Sequence, residues 1–84
     1  MEKLPDKIRT LRSVYGYSQE YLAFQLGISQ AAYSKKETGQ TQPSLIDLQQ
    51  IVVVYGISIA DLLQLSISEL LQLSMANGNK KATT

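Results

Sequence analysis

The segment of residues 18–39, SQEYLAFQLGISQAAYSKKETG, constrains the fold of this chain more than any other part of it. It begins with Ser18, whose hydroxyl can accept a hydrogen bond from an otherwise unpaired backbone N–H of a first helical turn. Leu22 and Leu26 then recur at helical spacing. Gly27 ends the helix, because the residue after a helix often has a positive φ angle, which glycine adopts most easily. The pattern predicts a short helix followed by a tight turn.

A second short helix is predicted directly after that turn. Ser29 is placed to cap it and Gly39 to end it, which gives a helix over about residues 29–38. Two short helices joined by one glycine-containing turn form the helix-turn-helix layout, in which the second helix enters the major groove of DNA. Tyr33 falls at the inward position of the second helix and is predicted to pack in the core.

Further helices are predicted on both sides of this unit, which makes the chain all-α. One covers about residues 4–14. Another follows Ser44, which forms a capping-box arrangement with Asp47, and a third follows Ser58. The β-branched run at residues 51–54 favours a strand by propensity alone. The serine cap before this run and the glycine after it favour a helix instead.

The chain resembles the helix-turn-helix of the phage Cro/C1 repressor type, also called the XRE family, over about residues 5–63. The resemblance implies a compact five-helix, lambda-repressor-like domain over residues 1–63 that binds double-stranded DNA. The matching positions are Ile8, Leu11, Arg12, Ser18, Gln19, Leu22, Ala23, residues 26–30, Ser34, Glu37, Gly39, Pro43, Ser44, Leu48, Gly56, Ile57, Asp61, Leu62 and Leu63.

In this family the second helix of the motif is the recognition helix, and four of its residues are predicted to read bases. Gln30 comes first, and its amide offers the donor and acceptor that suit adenine N6 and N7. Ala31 can contact a thymine methyl group. Ser34 and Lys35 lie on the same outward face, and Lys35 can reach a guanine or a phosphate.

A second group of polar residues is predicted to contact the sugar-phosphate backbone. In the resembling family a glutamine at the position of Gln19 bonds a phosphate at a helix N-terminus. Residues in and after the recognition helix would also contact the backbone, which sets register without reading sequence. The predicted phosphate contacts are Gln19, Lys36, Thr38, Gln40, Thr41 and Ser44. Glutamines stand in this loop where the family often has lysine or arginine, which predicts a weaker salt dependence.

Arg12 and Glu37 are expected to form a structural ion pair, as the corresponding residues do in the resembling family. A guanidinium suits a carboxylate because it can donate two parallel hydrogen bonds. The pair would tie the recognition helix to the first helix and set its angle in the groove.

Composition excludes several other functions. The chain has 84 residues, enough for one domain, and contains neither cysteine nor histidine. Disulfides, thiolate or imidazole metal sites and imidazole base chemistry are therefore excluded, and no metal or cofactor is expected. With no glycine-rich phosphate loop and no evident carboxylate pair, we do not expect an enzyme, and no small-molecule ligand is evident. The absence of a long apolar run predicts a soluble, cytoplasmic protein without a membrane partner. The resemblance implies that the protein is bacterial or phage-encoded.

The net charge of +1 is low for a DNA-binding domain, so the distribution of charge matters more than its sum. Lys35 and Lys36 lie on the recognition helix, and Lys3, Lys7 and Arg9 lie near the first helix. This placement can direct a weak positive field at a phosphate backbone.

The segment after residue 57 is unusually rich in aliphatic residues. Ten of the nineteen residues at 57–75 are Leu, Ile or Met, and they cover more than one face of any continuous helix. Such a helix must be buried on several sides. Alternatively, the helix breaks near Ser66 or Ser68, either of which can cap a separate sixth helix. We predict a leucine-rich extension over residues 64–76 that contacts a second copy, and a disordered tail over residues 77–84. The predicted dimer contacts are Leu62, Leu65, Ile67, Leu70, Leu71 and Leu73.

Two functions are compatible with these features. The first is a sequence-specific transcriptional regulator that binds a palindromic operator as a homodimer. The second is a protein-interaction module, such as an antitoxin or anti-repressor, that uses the apolar C-terminal segment. The near-neutral charge leaves the second hypothesis open, and a DNA mobility shift by a homodimer would favour the first.

Overall fold

Six α-helices form the part of the chain that the computed structural model describes, which is residues 2–82, with side chains described for residues 2–76. They are α1 (Leu4–Tyr15), α2 (Gln19–Leu26), α3 (Gln30–Thr38), α4 (Leu45–Tyr55), α5 (Ile59–Gln64) and α6 (Ile67–Ala82). The all-α prediction is confirmed. Helix α6 extends to Ala82, although the sequence predicts a disordered tail from residue 77. Residues 83 and 84 lie outside the described residues.

Serine caps start the middle helices where the sequence predicts them. The hydroxyls of Ser18 and Ser29 accept hydrogen bonds at 3.0 and 3.1 Å from backbone N–H groups three residues later. Ser44 forms the predicted capping box, because the Asp47 carboxylate also accepts from the Ser44 N–H at 2.9 Å. Gly27 lies between α2 and α3 with a φ of 70°, the conformation that the tight turn requires. The helix boundaries are thus set by local hydrogen bonds.

The core lies where the six helices meet, and each of them contributes at least one buried apolar side chain to it. Helix α2 packs against α3 and α4, and α1 packs against α3, α5 and α6. The fully buried apolar side chains include Ile8, Leu11, Leu22, Tyr33, Ile51, Tyr55, Leu62 and Leu70. The inward position predicted for Tyr33 is confirmed.

The leucine-rich segment is broken into two helices instead of forming one. Leu65 is extended, with φ −83° and ψ 152°, and ends α5. Ser66 then caps α6, because its hydroxyl accepts from the Glu69 N–H at 3.1 Å and its own N–H donates to the Glu69 carboxylate at 2.9 Å. Both of these helices pack against α1 and α4.

This break changes the role of two residues predicted to contact a second copy. Leu62 and Leu70 are fully buried in the core of their own chain, so neither offers side-chain surface to another molecule. The other four predicted dimer contacts are half-buried. Of these, Leu65, Leu71 and Leu73 also pack against the core. The apolar excess of this segment is therefore largely used within the chain.

The N-terminal segment holds the two C-terminal helices in place. Lys7 is buried, and its ammonium donates to the carbonyls of Leu62 at 3.1 Å and Leu63 at 3.3 Å. These carbonyls lie at the end of α5, where backbone acceptors lack helical partners. The Glu2 carboxylate accepts from the Ile67 N–H at 2.6 Å, at the start of α6. Lys7 was expected to contribute to an external field and instead has a structural role.

Candidate nucleic-acid interface

The outer face of α3 presents polar side chains that the rest of the domain does not use. Gln30, Ala31 and Lys35 are exposed, and Ser34 is half-buried. Among the described residues, the side chains of Gln30 and Lys35 have no hydrogen-bond or ion-pair partner. Their donors and acceptors are therefore available to a ligand. The buried Tyr33 on the opposite side of α3 anchors this face to the core.

Arg12 and Glu37 form a two-pronged ion pair behind the recognition helix. Arg12 Nε lies 2.6 Å from Glu37 Oε2, and Nη2 lies 3.0 Å from Oε1. Arg12 Nη1 also donates to the Tyr17 carbonyl at 2.9 Å. The side chains are 17% and 2% exposed, so the carboxylate is almost removed from water. The pair links α1 to the last turn of α3, and its geometry fixes the orientation of that helix.

Gln19 joins this network from the first residue of α2. Its amide nitrogen donates to Glu37 Oε1 at 3.1 Å. A carboxylate accepts hydrogen bonds only, so the amide must turn its nitrogen, and not its oxygen, towards Glu37. The amide nitrogen carries a second N–H, which is left for another acceptor. The contact to Glu37 is thus compatible with the predicted phosphate contact and orients Gln19 for it.

These contacts determine the ionisation of the pair. Burial acts to raise the pKa of Glu37, but the hydrogen bonds from Arg12 and Gln19 outweigh it, so the pKa lies below its usual range. The hydrogen bond to Glu37 in turn raises the pKa of Arg12. Both groups stay charged at neutral pH.

Acid is expected to destabilise the fold through Glu37. Because the folded pKa is lowered, the stability that Glu37 contributes is present above its unfolded pKa and is lost as pH falls through the folded pKa. Urea unfolding measured between about pH 7 and pH 3 should show this loss. The Glu37→Gln variant should be less stable at neutral pH and lose less in acid. Asp47, whose pKa is also lowered, is present in both proteins and cancels. If both proteins lose the same free energy of unfolding between neutral and acid pH, the loss does not come from Glu37.

Some of the predicted phosphate contacts are engaged within the chain. The Lys36 ammonium lies 3.0 Å from the Asp47 carboxylate, and the Lys36 side chain is largely covered. The Thr38 hydroxyl donates to the Lys35 carbonyl at 3.2 Å, so its proton is used. Lys36 therefore joins α3 to α4, which corrects its placement among residues that face DNA.

The remaining predicted phosphate contacts form an exposed edge after α3. Gln40, Thr41 and Ser44 are exposed in the segment between α3 and α4. The Ser44 hydroxyl accepts the capping bond from Asp47 and keeps its own proton to donate. Together with Gln19 on α2, these side chains supply uncharged donors to the candidate interface.

The contacts of two lysines were not predicted from the sequence. Lys7 lies between Leu4, Ile8 and Leu11 on the buried stripe of α1, and this position was a signal that it points inward. The pairing of Lys36 with Asp47 joins residues from two helices. No local sequence pattern predicts such a contact, since it depends on how α3 and α4 pack.

Comparison with known proteins identifies the class. The helix-turn-helix family profile matches residues 8–62, and the chain belongs to this Cro/C1-type (XRE) family of DNA-binding transcriptional regulators. The family is generally non-enzymatic. In the part of the chain that the structure describes, no helix is long and apolar enough to cross a membrane, and no cluster of three or more acidic residues could hold a metal ion.

Two curated relatives agree with this class. The chain is 34% identical over 59 residues to the SPbeta prophage-derived uncharacterized HTH-type transcriptional regulator YonR of Bacillus subtilis (strain 168), which covers 70% of this chain and 55% of the relative. It is 39% identical over 62 residues to the HTH-type transcriptional regulator DdrOP3 of Deinococcus deserti, which covers 74% of this chain and 48% of the relative. The chain thus spans about half the length of these relatives. No solved structure is a significant match.

Proposed function

We propose that this chain is a sequence-specific transcriptional regulator that inserts α3 into the major groove and binds a palindromic operator as a homodimer. The observation that carries the proposal is the exposed, unpaired polar face of α3, held at a fixed angle by the buried Arg12–Glu37 pair. A rigidly held helix with free side-chain donors and acceptors is what base reading requires. We propose no catalytic activity for it.

Base reading is assigned to the residues at the start and middle of α3. Gln30 would pair with adenine through its amide, and Ala31 would pack against a thymine methyl. Lys35 would donate to a guanine or a neighbouring phosphate. Ser34 is less exposed than these three, and its hydroxyl would reach only a base edge that approaches the helix closely.

Phosphate contacts are assigned to both sides of this helix. Gln19 would donate its second amide N–H to one phosphate, at the positive end of α2. Gln40, Thr41 and Ser44 would contact the backbone on the other side. Because most of these donors are uncharged, few counterions would be released, and the affinity should fall only moderately with salt.

A two-fold assembly follows from the size of the domain. Its longest dimension is 32 Å, so one copy covers about one half-site of a duplex. Half-sites in palindromic operators lie about 34–36 Å apart, which matches two such domains side by side. The two copies would then place their α3 helices in two successive major grooves on the same side of the DNA.

Replacing Gln30 with alanine tests base reading. An operator selected from a pool of random duplexes should bind the Gln30→Ala variant about 1–3 kcal/mol more weakly, with relaxed preference at one base pair per half-site. Fluorescence anisotropy on the selected duplex and on a scrambled duplex measures both effects. Gln72→Ala, which removes an exposed glutamine from α6, is the matched control and should bind like the parent protein. An equal loss on selected and scrambled DNA would exclude Gln30 as a base reader.

The protein-interaction module stays the second hypothesis, and its proposed surface is smaller than the sequence indicates. That surface is the leucine-rich segment, yet Leu62 and Leu70 fill the core of this chain. We therefore place DNA binding first. A chain that selects no duplex from the random pool would favour the second hypothesis.

A further inference from the structure

The outward side of α4 is apolar and carries no charge. Leu45, Ile46 and Val53 are 63%, 69% and 65% exposed, and Gln49 and Gln50 are exposed between them. Large aliphatic side chains are expected inside a folded domain, and several of them exposed on one side of a helix indicate a contact surface. We call these five residues the α4 face.

The lack of charge on the α4 face results from how α4 packs. The charged residue of this helix is Asp47, which is buried on the opposite side. Its carboxylate pairs with the Lys36 ammonium at 3.0 Å and accepts the capping bond from Ser44. The inward side holds Ile51 and Tyr55, so α4 has apolar residues on both sides and only one of them is covered by this chain.

We infer that the α4 face is the surface on which a second copy of this chain docks. The inference rests on the proposed function, because a palindromic operator requires two copies. It assigns the dimer contact to α4, whereas the sequence predicts this contact in the leucine-rich extension.

The pattern of the α4 face is complementary to itself. Ile46 and Val53 stand at positions i and i+7, two helical turns apart on the same side. If two α4 helices cross a two-fold axis in antiparallel directions, Ile46 of one copy meets the partner's Val53. Gln49 and Gln50 then lie beside the axis. A glutamine amide both donates and accepts, so it can bond its own symmetry mate, and no like charges face each other.

The leucine-rich extension offers less than α4 for the same purpose. In the whole leucine-rich segment of residues 57–75, the exposed large apolar side chains are Leu63 and Met75, which lie on different helices. Leu62 and Leu70 are already covered by α1 and α4 side chains of the same core cluster. A second copy would therefore bury more aliphatic surface on α4 than on α5 or α6.

The contact is small, which predicts a dimer that depends on concentration. One helix per copy buries less than the standard specific interface of about 1,600 Å² in total. Sedimentation equilibrium should show a monomer–dimer equilibrium, and operator DNA should favour the dimer because it holds two copies at adjacent half-sites.

Charge substitutions locate the surface. Val53→Glu should weaken dimerisation at least tenfold, because it buries a carboxylate against the partner's Ile46 in each of the two symmetry-related apolar contacts. Met75→Glu, the matched control on α6, should leave the equilibrium unchanged. Both sites are exposed, so folding should be retained, and thermal melts followed by circular dichroism verify this. Loss of the dimer in Met75→Glu with its retention in Val53→Glu would overturn the inference, as would a parent protein that stays monomeric both free and on operator DNA.

A cross-linking experiment tests the antiparallel arrangement without relying on loss of binding. The chain contains no cysteine, so an introduced thiol is the only one present. Gln50→Cys places this thiol beside the proposed axis, where mild oxidation should give a covalent dimer on a non-reducing gel. Gln72→Cys, at an exposed glutamine of α6, should stay monomeric. Cross-linking of Gln72→Cys but not of Gln50→Cys would overturn the arrangement.

Binding to half of the operator separates this inference from the proposed function. Val53→Glu should bind a single half-site like the parent protein and lose affinity only for the full palindrome. If the parent dimerises through α4 but selects no DNA sequence, the proposed function fails and the α4 face stands. If Val53→Glu binds the full palindrome like the parent, the α4 face fails and the proposed function stands.

Discussion

Replacing Arg12 with methionine is expected to destabilise the fold by about 3–5 kcal/mol, because it leaves a buried carboxylate without its partner. The Glu37 side chain is 2% exposed and accepts two hydrogen bonds from Arg12, so water cannot replace the guanidinium. The hydrogen bond from Gln19 would remain but carries no compensating charge. Urea unfolding at neutral pH, followed by circular dichroism, measures the loss.

Arg9 supplies the control for this prediction. It also pairs with a carboxylate, that of Asp6 at 2.7 Å, but both side chains are about half exposed. Arg9→Met should therefore cost no more than about 1 kcal/mol. Similar losses for Arg9→Met and Arg12→Met would show that burial of the Arg12–Glu37 pair does not matter. The double variant Arg12→Met with Glu37→Leu should be more stable than Arg12→Met alone, because no charge is left buried.

Replacing Leu70 with alanine is expected to cost about 2–5 kcal/mol, the usual range for a leucine removed from a packed core. Leu70 is fully buried and belongs to the same core cluster as Leu62 and Ile8. Removing its side chain would leave a cavity between α6 and the rest of the domain. Thermal and urea unfolding give the size of the effect. Met75→Ala, at an exposed position of the same helix, should change stability by less than about 0.5 kcal/mol.

The concentration dependence of this loss distinguishes core packing from a dimer contact. If Leu70 packs inside one chain, the loss should be the same at every protein concentration. If it contacted a second copy, the loss would grow with protein concentration, because the substitution would also weaken the dimer. A loss that disappears at low protein concentration would restore Leu70 to the dimer interface.

The positions of the helices and the polar side of the recognition helix follow from local sequence. Ser18 and Ser29 cap because each hydroxyl needs only an N–H three residues away. Gly27 turns because its own backbone permits a positive φ angle. Such features depend on residues within one or two helical turns, so they can be predicted from the local sequence.

The bonding partners of polar side chains could not be predicted in the same way. Lys36 was expected to contact phosphate, but α3 and α4 approach so that it meets Asp47. Gln19 was expected at the DNA, and the fold adds its bond to Glu37, eighteen positions away in the chain. These contacts join separate helices, and helical periodicity says nothing about which helices become neighbours.

By itself the sequence of residues 18–39 determined two capped helices, the turn between them and an outward face that begins at Gln30. Only the tertiary structure decided how the motif is held and how the leucine-rich segment is used. The break at Leu65 and Ser66 divides that segment into two helices, and Leu62 and Leu70 then reach one shared core. Side-chain burial depends on long-range packing, whereas caps and turns depend on adjacent backbone groups. That difference left one side of α4 exposed while Leu62 and Leu70 are buried.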